Sequence, residues 1–307
     1  MKKILVIGGS GFVGSNLIES LIKEKEYKIF STIFKKKKIK KFKNVRYFSG
    51  DLQNQKYCDK ITKKKDIVVM CAAFTAGAKI IEKNPLEFVT VNTKINLNVL
   101  NSCKKNKIKK FIFLSSSVVY PNKITPMKEK DVNYTFFKKY QNVAWMKLYT
   151  EKVCEMYNKF FNVLILRPSN LYGPYDKFDK QNSKVIPSLI RKFNNEKKIE
   201  IWGDGKDIKD FLYIKDFIKI LILLIKIKEK FLILNVGSGK SVSLMNIISI
   251  INKYYVNKNF YFTKNSPKMI PVRKINIDKL KKILNFKLKY SLAQGLKDTI
   301  LWYKKNN

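Results

Sequence analysis

The feature that most constrains the fold is the segment IGGSGFVG at residues 7–14. Its glycines have the spacing GxxGxxG and lie between an apolar segment that predicts a strand and residues 12–24, which have helical periodicity. Glycines at this spacing let the backbone turn tightly and approach a pyrophosphate at the helix N-terminus. Taken alone, the glycines are also compatible with a simple tight turn. Their position favours a dinucleotide-binding site, with contacts expected at Gly8, Ser10, Gly11, Phe12, Val13 and Gly14.

The first half of the chain alternates short apolar segments with segments of helical periodicity. Helices are predicted near residues 86–105 and 144–158. Strands are predicted at KKILVIG, YKIFSTI, VRYFSGDL, DIVVMCAA, KFIFLSSSVVY and VLILRPSN. Strands that alternate with helices indicate right-handed crossovers, so we expect an α/β fold with a Rossmann-type, doubly wound parallel sheet.

The alternation breaks into loops and shorter helices from about residue 175, which predicts a smaller C-terminal α/β lobe for substrate. One apolar strand in this half, FLILNVG at residues 231–237, is expected to return to the main sheet. The two predicted lobes therefore interleave along the chain. The dinucleotide-binding domain is expected at 1–166 and about 211–245, and the substrate-binding lobe at about 167–210 and 246–307.

The net charge of +41 raises the possibility of nucleic-acid binding, because lysine neutralises phosphate. However, only four of the 64 basic residues are arginine, the residue that makes bidentate contacts to bases. The lysines are spread along the whole chain. This distribution favours biased composition over a specific nucleic-acid site.

Cysteine and apolar patterns bear on the cellular compartment. The four cysteines lie far apart without CxxC pairing, which favours a reduced, cytoplasmic protein without a metal site. The apolar run after Lys3 is too short for a secretory leader. The longest apolar run, FIKILILLIKIK, is interrupted by Lys219 and Lys226, so we expect a buried helix and no membrane span.

The end of the second predicted strand bears on cofactor choice. An acid there would bind the ribose 2′-hydroxyl of NAD, but the segment reads FSTIFKKKK, with Thr32 and lysines at 35–38. A lysine cluster would suit the 2′-phosphate of NADP, although the same lysines could form a solvated run. NADP is therefore the predicted cofactor and NAD the alternative. Asp51, after the third strand, could bind the adenine amino group or simply cap a helix.

Three consecutive serines, Ser115, Ser116 and Ser117, follow the predicted central strand FIFL. Ligands of open α/β sheets bind at the carboxyl ends of the strands. A serine hydroxyl there could donate a hydrogen bond to a reacting carbonyl or alcohol oxygen. The alternative is that these hydroxyl groups only satisfy the end of the strand.

A series of motifs spans essentially the whole chain in the order GGSGFVG, GDL, CAA, NPLEFVTVNT, FLSSSVVYP, LRPSNLYGPYDKF, NSKVIP, WGDGKDIKDFLYIKD and NVGSG. It resembles the extended short-chain dehydrogenase/reductases of the nucleotide-sugar epimerase/dehydratase family. Within that family the likeness is to the GDP-L-fucose synthases, NADPH-dependent 3,5-epimerase/4-reductases. The resemblance implies a dimeric, cytoplasmic enzyme of surface-glycan biosynthesis. It also implies cofactor contacts at Asp51, Leu52, Ala72, Ala73 and Lys147.

The resemblance assigns catalytic roles to Ser116 and Lys147, but the family's tyrosine, four residues before the lysine, is replaced by Val143. That tyrosine normally transfers the proton that accompanies hydride transfer. The family's cysteine and histidine for epimerisation are also replaced, by Val118 and Lys184. Epimerisation at two centres in the family's way is therefore not expected. Lys184 is the predicted replacement acid.

Tyr140, seven residues before Lys147, would substitute for the missing phenol only after local rearrangement, because it would lie about 10 Å along the helix axis. Trp145 is predicted to pack, in an apolar helical stripe that suits a helix-bundle dimer. The other residues of this stripe are Tyr149, Val153 and Met156.

The resemblance also predicts the residues around the nucleotide diphosphate. Lys209 stands where family members usually have arginine, so it would supply charge without a bidentate fork. The predicted substrate-binding residues are Ser117, Asn170, Val185, Arg191, Lys192, Trp202 and Lys209. Because three proton carriers are replaced, the alternative function is a redox-silent protein that binds dinucleotide or nucleotide sugar as a partner or regulatory subunit.

Overall fold

The computed structural model describes residues 1–34, 41–74, 84–263 and 270–307. The strands in these ranges are β1 (Lys2–Ile7), β2 (Tyr27–Ile33), β3 (Val45–Ser49), β4 (Ile67–Met70), β5 (Lys110–Leu114), β6 (Asn162–Pro168), β7 (Asn170–Tyr172), β8 (Ile199–Trp202), β9 (Ile208–Tyr213), β10 (Phe231–Val236), β11 (Ser241–Ser243), β12 (Phe260–Thr263) and β13 (Val272–Arg273). The helices are α1 (Phe12–Leu21), α2 (Gln55–Thr62), α3 (Pro85–Lys105), α4 (Gln141–Tyr157), α5 (Val185–Asn195), α6 (Ile214–Lys226), α7 (Leu244–Lys253), α8 (Asp278–Leu284) and α9 (Leu292–Asn306).

The main sheet is parallel throughout, with seven strands in the order β10-β6-β5-β4-β1-β2-β3. Its α/β, Rossmann-type architecture confirms the predicted fold class. The strand FLILNVG does return to this sheet as β10, with Leu232 opposite Leu164 of β6. The carboxyl ends of all seven strands therefore meet at one edge.

Helices cover both faces of the main sheet, which is why its central strands are almost uniformly apolar. Side chains alternate along β1: Ile4 and Val6 belong to one apolar cluster, while Leu5 and Ile7 belong to a second. The first cluster includes buried residues of α1 and α6, and the second includes buried residues of α2 and α3. The sequence FIKILILLIKIK contributes α6, which packs against α1. In the part of the chain that the structure describes, no helix is long and apolar enough to cross a membrane.

Several predicted boundaries were wrong, and the fifth strand shows why. This strand ends at Leu114 instead of continuing to Tyr120. The Ser116 side chain accepts a hydrogen bond from the Val118 amide, and residues Ser117–Val119 form a short 3₁₀ turn. A serine hydroxyl that bonds to nearby backbone competes with strand pairing. Likewise, the third and fourth strands end before GDL and CAA, α1 ends at Leu21, and α4 begins at Gln141.

The remaining strands form two smaller sheets. In one, β9 pairs with β7, β11 and β13, and in the other β8 pairs with β12. The division of the chain into two interleaved lobes stays a prediction. The small sheet around β9 positions the predicted substrate-binding residues Asn170 and Lys209 on adjacent strands.

Candidate active site

The glycine-rich turn forms a cradle that side chains would fill. Gly8 has φ of +87°, and a Cβ there would lie 2.7 Å from the Ala72 Cα atom. A Cβ on Gly14 would lie 2.2 Å from the Gly8 carbonyl oxygen. Gly11 caps α1 without a side-chain hydrogen bond, so no cap side chain occupies the backbone amides of the first turn. Because a glycine-lined helix N-terminus suits a pyrophosphate, these residues fit a dinucleotide. Ser10 and Gly11 are exposed, and Phe12 and Val13 are half-buried.

We expect Gly8→Ala to abolish measurable binding of a nicotinamide dinucleotide and to lower stability by about 1–3 kcal/mol, because alanine is strained at positive φ. The clash with the Ala72 backbone adds to that strain. The measurements are NADPH fluorescence titration and urea unfolding. Gly11→Ala is the matched control for stability, since its Cβ would meet only the Gly8 carbonyl, at 3.3 Å. Equal stability of the two variants would contradict this account of the turn.

The end of β2 is hydrogen-bonded to the glycine turn. The Thr32 hydroxyl accepts a hydrogen bond from the Gly8 amide at 2.9 Å, and its side chain is buried. Residues 31–34 contain no carboxylate for a ribose 2′-hydroxyl. The lysines at 35–38, on which the NADP prediction depends, lie outside the described residues.

The remaining predicted cofactor residues follow the ends of β3 and β4. The Asp51 carboxylate accepts a hydrogen bond from the Gln53 amide at 2.8 Å, as a turn-capping aspartate does, while the Leu52 carbonyl accepts one from Asn98 at 3.0 Å. Ala72 is half-buried against the glycine turn, and Ala73 is exposed beside it.

The three serines after β5 have different surroundings. The Ser115 hydroxyl is buried and donates a hydrogen bond to the Glu151 carboxylate. Ser117 is buried, with 7% of its surface exposed. Ser116 is half-exposed, and its hydroxyl makes only a 3.3 Å contact with the Val118 amide. Ser116 is therefore the most accessible of the three serines.

Lys147 lies at the same end of β5. Its ammonium donates a hydrogen bond to the Leu114 carbonyl at 2.8 Å and lies 4.9 Å from the centroid of the Phe113 ring. Burial lowers the pKa of Lys147 to about 8, while Glu151, one turn along α4, favours the charged form. The lysine and Ser116 therefore occupy one strand end.

Val143 and Val118, at two of the replaced proton-carrier positions, belong to one apolar cluster. Val143 is buried with Phe88 and Met146, and Val118 packs against the same group. Neither position supplies a hydrogen-bonding side chain. The two replaced positions therefore lie close together in space, which the sequence alone did not show.

A buried polar network under the serines was missed by sequence reasoning. Arg167 makes two hydrogen bonds to the Glu151 carboxylate, at 3.0 Å from Nε and 2.5 Å from Nη2, and both side chains are only 4% exposed. Arg167 also donates to the Tyr120 hydroxyl at 3.0 Å, which in turn donates to Asn235 at 2.6 Å. An arginine inside the apolar strand VLILRP was a signal that could have identified this pair.

Lys184, the predicted replacement acid, lies beside the cofactor turn. Its ammonium lies 5.4 Å from the centroid of the Phe12 ring, and the residue is exposed at the start of α5. Tyr140 precedes α4 and is half-buried. Burial, and then the nearby Asp207 carboxylate, raise the pKa of Tyr140 to about 12. Tyr140 is thus a weaker acid than an ordinary tyrosine.

Several of the predicted substrate residues already contact other side chains or backbone groups of the protein. Lys192 lies 5.6 Å from the centroid of the Trp202 ring, which is 45% exposed. Asn170 donates a hydrogen bond to the Asp210 carbonyl at 2.8 Å. Lys209 forms a 2.9 Å ion pair with Asp207.

Arg191 and Val185 lie on α5. Arg191 approaches Glu196 at 3.4 Å, and its buried Nε atom has no hydrogen-bond partner among the described residues. Val185 begins the helix and packs against the first apolar cluster. Both side chains are therefore positioned partly by the protein's own packing.

Comparison with known proteins identifies the family. The chain is 30% identical to a GDP-L-fucose synthase of Sinorhizobium fredii, covering 96% of this chain and 93% of that protein. It is 28% identical to a GDP-L-colitose synthase of Yersinia pseudotuberculosis, with 99% of each covered. The structure of a UDP-N-acetylglucosamine 4-epimerase from Methanobrevibacter ruminantium superposes with a TM-score of 0.86 at 28% identity, covering 100% of this chain and 99% of that one. Residues 4–237 match the sequence pattern of one family. The chain therefore belongs to the NAD dependent epimerase/dehydratase family.

Proposed function

We propose that the protein is an NADP-dependent oxidoreductase that acts on a nucleotide-linked deoxy sugar in surface-glycan biosynthesis. The proposed reaction is reduction of a 4-keto group, or epimerisation through a transient 4-keto sugar. The observation that carries this proposal is the shared position of Ser116 and Lys147. The half-exposed Ser116 hydroxyl and the Lys147 ammonium both lie at the end of β5, at the sheet edge where the glycine turn also lies.

In this mechanism the chain's own residues bind and orient, and the nicotinamide cofactor supplies or accepts the hydride. Gly8, Gly11 and Gly14 leave room for the dinucleotide, and Ser116 donates a hydrogen bond to the reacting sugar oxygen. Lys147 holds positive charge beside that oxygen. Lys184, the acid predicted from the sequence, lies on the cofactor side of the site, over the Phe12 ring.

Ketoreduction has more support than epimerisation at two centres. Epimerisation needs groups that remove and return protons on carbon, and Val118 and Val143 cannot do so. Both belong to an apolar cluster, so water bound at these positions would be poorly stabilised. A reductase needs one proton per hydride and is less affected by their loss.

The proposed substrate is a GDP sugar or another nucleoside-diphosphate sugar. The relatives named as fucose and colitose synthases support a GDP sugar. Lys192 and Trp202 would contact the nucleotide, together with Ser117, Asn170, Val185, Arg191 and Lys209. Because Lys209 is already paired with Asp207, we expect it to bind the diphosphate more weakly than a free arginine fork would.

NADP, a cytoplasmic location and a homodimer complete the proposal. The lysines at 35–38 and the absence of an acid at 31–34 support NADP. The four cysteines are free thiols, as in a reducing compartment. Trp145, Tyr149 and Met156 are each at least half exposed on α4, and a second copy would cover them.

A redox-silent binding protein is the second candidate function, favoured by the apolar cluster around Val143. This alternative keeps the dinucleotide cradle and the substrate residues but assigns them no hydride transfer. It predicts tight binding of NADPH without consumption on any 4-keto sugar.

The proposal is tested by NADPH consumption on GDP-4-keto-6-deoxymannose. We expect turnover by the unaltered protein and a loss of about 10²–10³-fold in Ser116→Ala, the effect of removing one hydrogen bond to a developing oxyanion. Ser20→Ala is the matched control, because Ser20 lies on α1 about 12 Å along the axis from the helix start. Saturable NADPH binding without consumption by the unaltered protein would instead favour the redox-silent function.

A further inference from the structure

We propose that Lys147 itself donates the proton that accompanies hydride transfer, in place of the tyrosine that Val143 has replaced. This inference rests on the ketoreductase function proposed above. It assigns Lys147 a second role besides cofactor binding. Glu151 is then a positioning residue, because it acts on Lys147 and on the serine turn without contacting the substrate.

The position of the Lys147 ammonium suits this role. Its bond to the Leu114 carbonyl fixes Nζ at the end of β5, one residue before the serines begin. That bond uses one of the three N–H donors of an ammonium group. The other two N–H groups are left to donate hydrogen bonds to a ligand oxygen that also accepts one from Ser116.

The other nearby candidates are less suitable. The Tyr120 phenol is fully buried between Arg167 and Asn235, to which its hydroxyl is hydrogen-bonded. Tyr140 interacts with Asp207, on the substrate side. Lys184 lies over the Phe12 ring instead of the serine turn.

The electrostatic surroundings of Lys147 support proton donation near neutral pH. Burial lowers its pKa to about 8, whereas Glu151 and Cys154, both on α4, favour the charged form. From the neighbouring strands, β5 contributes the Leu114 carbonyl and the Phe113 ring, and β6 contributes Arg167, which is paired with Glu151. An acid works best when its pKa lies near the working pH.

The proton and electron balance of the step is complete. The carbonyl carbon of the sugar accepts a hydride from the reduced nicotinamide dinucleotide. An N–H bond of Lys147 breaks, and its proton forms the new O–H bond on the carbonyl oxygen. The products are the sugar alcohol, the oxidised dinucleotide and a neutral lysine amine, which takes up a proton from water.

The test compares the unaltered protein with Lys147→Arg in single-turnover oxidation of NADPH by GDP-4-keto-6-deoxymannose from pH 6 to 10. The unaltered protein should lose rate above about pH 8, tenfold per pH unit, because the ammonium loses its proton. Lys147→Arg keeps the charge and the donors, so it should still bind NADPH. Its rate should fall at least about a hundredfold, since a guanidinium does not release its proton. Lys152→Arg, on the exposed face of α4, is the matched control.

Three results would overturn the inference, and they are distinguishable. A rate in Lys147→Arg within threefold of the unaltered protein would show that the lysine only anchors the cofactor. A rate that stays constant up to pH 10 in the unaltered protein would also show that Lys147 does not donate the proton. This result needs no variant, so it holds even if Lys147→Arg fails to fold. If the unaltered protein binds NADPH and sugar but transfers no hydride at any pH, the proposed function fails and the inference fails with it.

Discussion

Replacing Glu151 by alanine should lower the free energy of unfolding by about 3–5 kcal/mol, because it leaves a buried arginine without its counter-ion. Arg167 is only 4% exposed and makes two hydrogen bonds to the Glu151 carboxylate. Removing that carboxylate also takes away the acceptor of the Ser115 hydroxyl. The measurement is urea unfolding followed by circular dichroism at pH 7.

Glu155→Ala is the matched control for this prediction. Glu155 lies one turn along the same helix and pairs with Lys152 at 3.0 Å, but both side chains are exposed. Such surface pairs contribute about 0–1 kcal/mol. The loss of stability in Glu151→Gln should lie between the losses in Glu151→Ala and Glu155→Ala, because an amide oxygen still accepts a hydrogen bond from arginine. A loss below about 1 kcal/mol in Glu151→Ala would contradict the prediction, since it would mean that Arg167 is stabilised in another way.

The consequence of this pair extends to the active site. Ser115, held by Glu151, directly precedes Ser116, and Tyr120, held by Arg167, ends the same turn. The pair therefore fixes the serine turn at both ends. We expect Glu151→Gln to retain its fold and to lose activity by lowering kcat more than it raises KM.

Restoring the phenol should increase the rate of NADPH consumption. Val143→Tyr places a tyrosine four residues before Lys147, one helical turn away and on the same face. A positioned proton donor contributes about 10²–10⁴-fold, and Lys147 supplies part of that in our proposal, so we expect a gain of about tenfold. The measurement is NADPH oxidation with GDP-4-keto-6-deoxymannose at saturating sugar.

Val143→Phe is the matched control, because it adds the same ring without the hydroxyl. Val143 is buried with Phe88 and Met146, so either substitution should cost about 1–3 kcal/mol of stability through overpacking. Only the tyrosine variant should gain rate. Equal rates in the two variants, with NADPH still bound, would show that position 143 no longer faces the reacting oxygen.

The sequence by itself determined the fold class, and it predicted where the site lies. The glycine spacing at residues 8–14 and the alternation of strands with helices depend on local backbone rules, so they can be recognised without tertiary structure. It also indicated that Ser116 and Lys147 belong together and that Val143 replaces a proton carrier. Strand ends were less predictable, because hydrogen bonds such as that from the Val118 amide to Ser116 decide them locally.

Only the tertiary structure decided which distant side chains meet. Glu151 and Arg167 become partners because α4 packs against β6, and Tyr120 reaches Asn235 because β10 returns to the main sheet. The low pKa of Lys147 likewise has no signal in the sequence, since it follows from burial against the end of β5. Burial and pairing of charges depend on contacts between elements far apart along the chain. Those contacts are fixed only when the helices pack on the sheet.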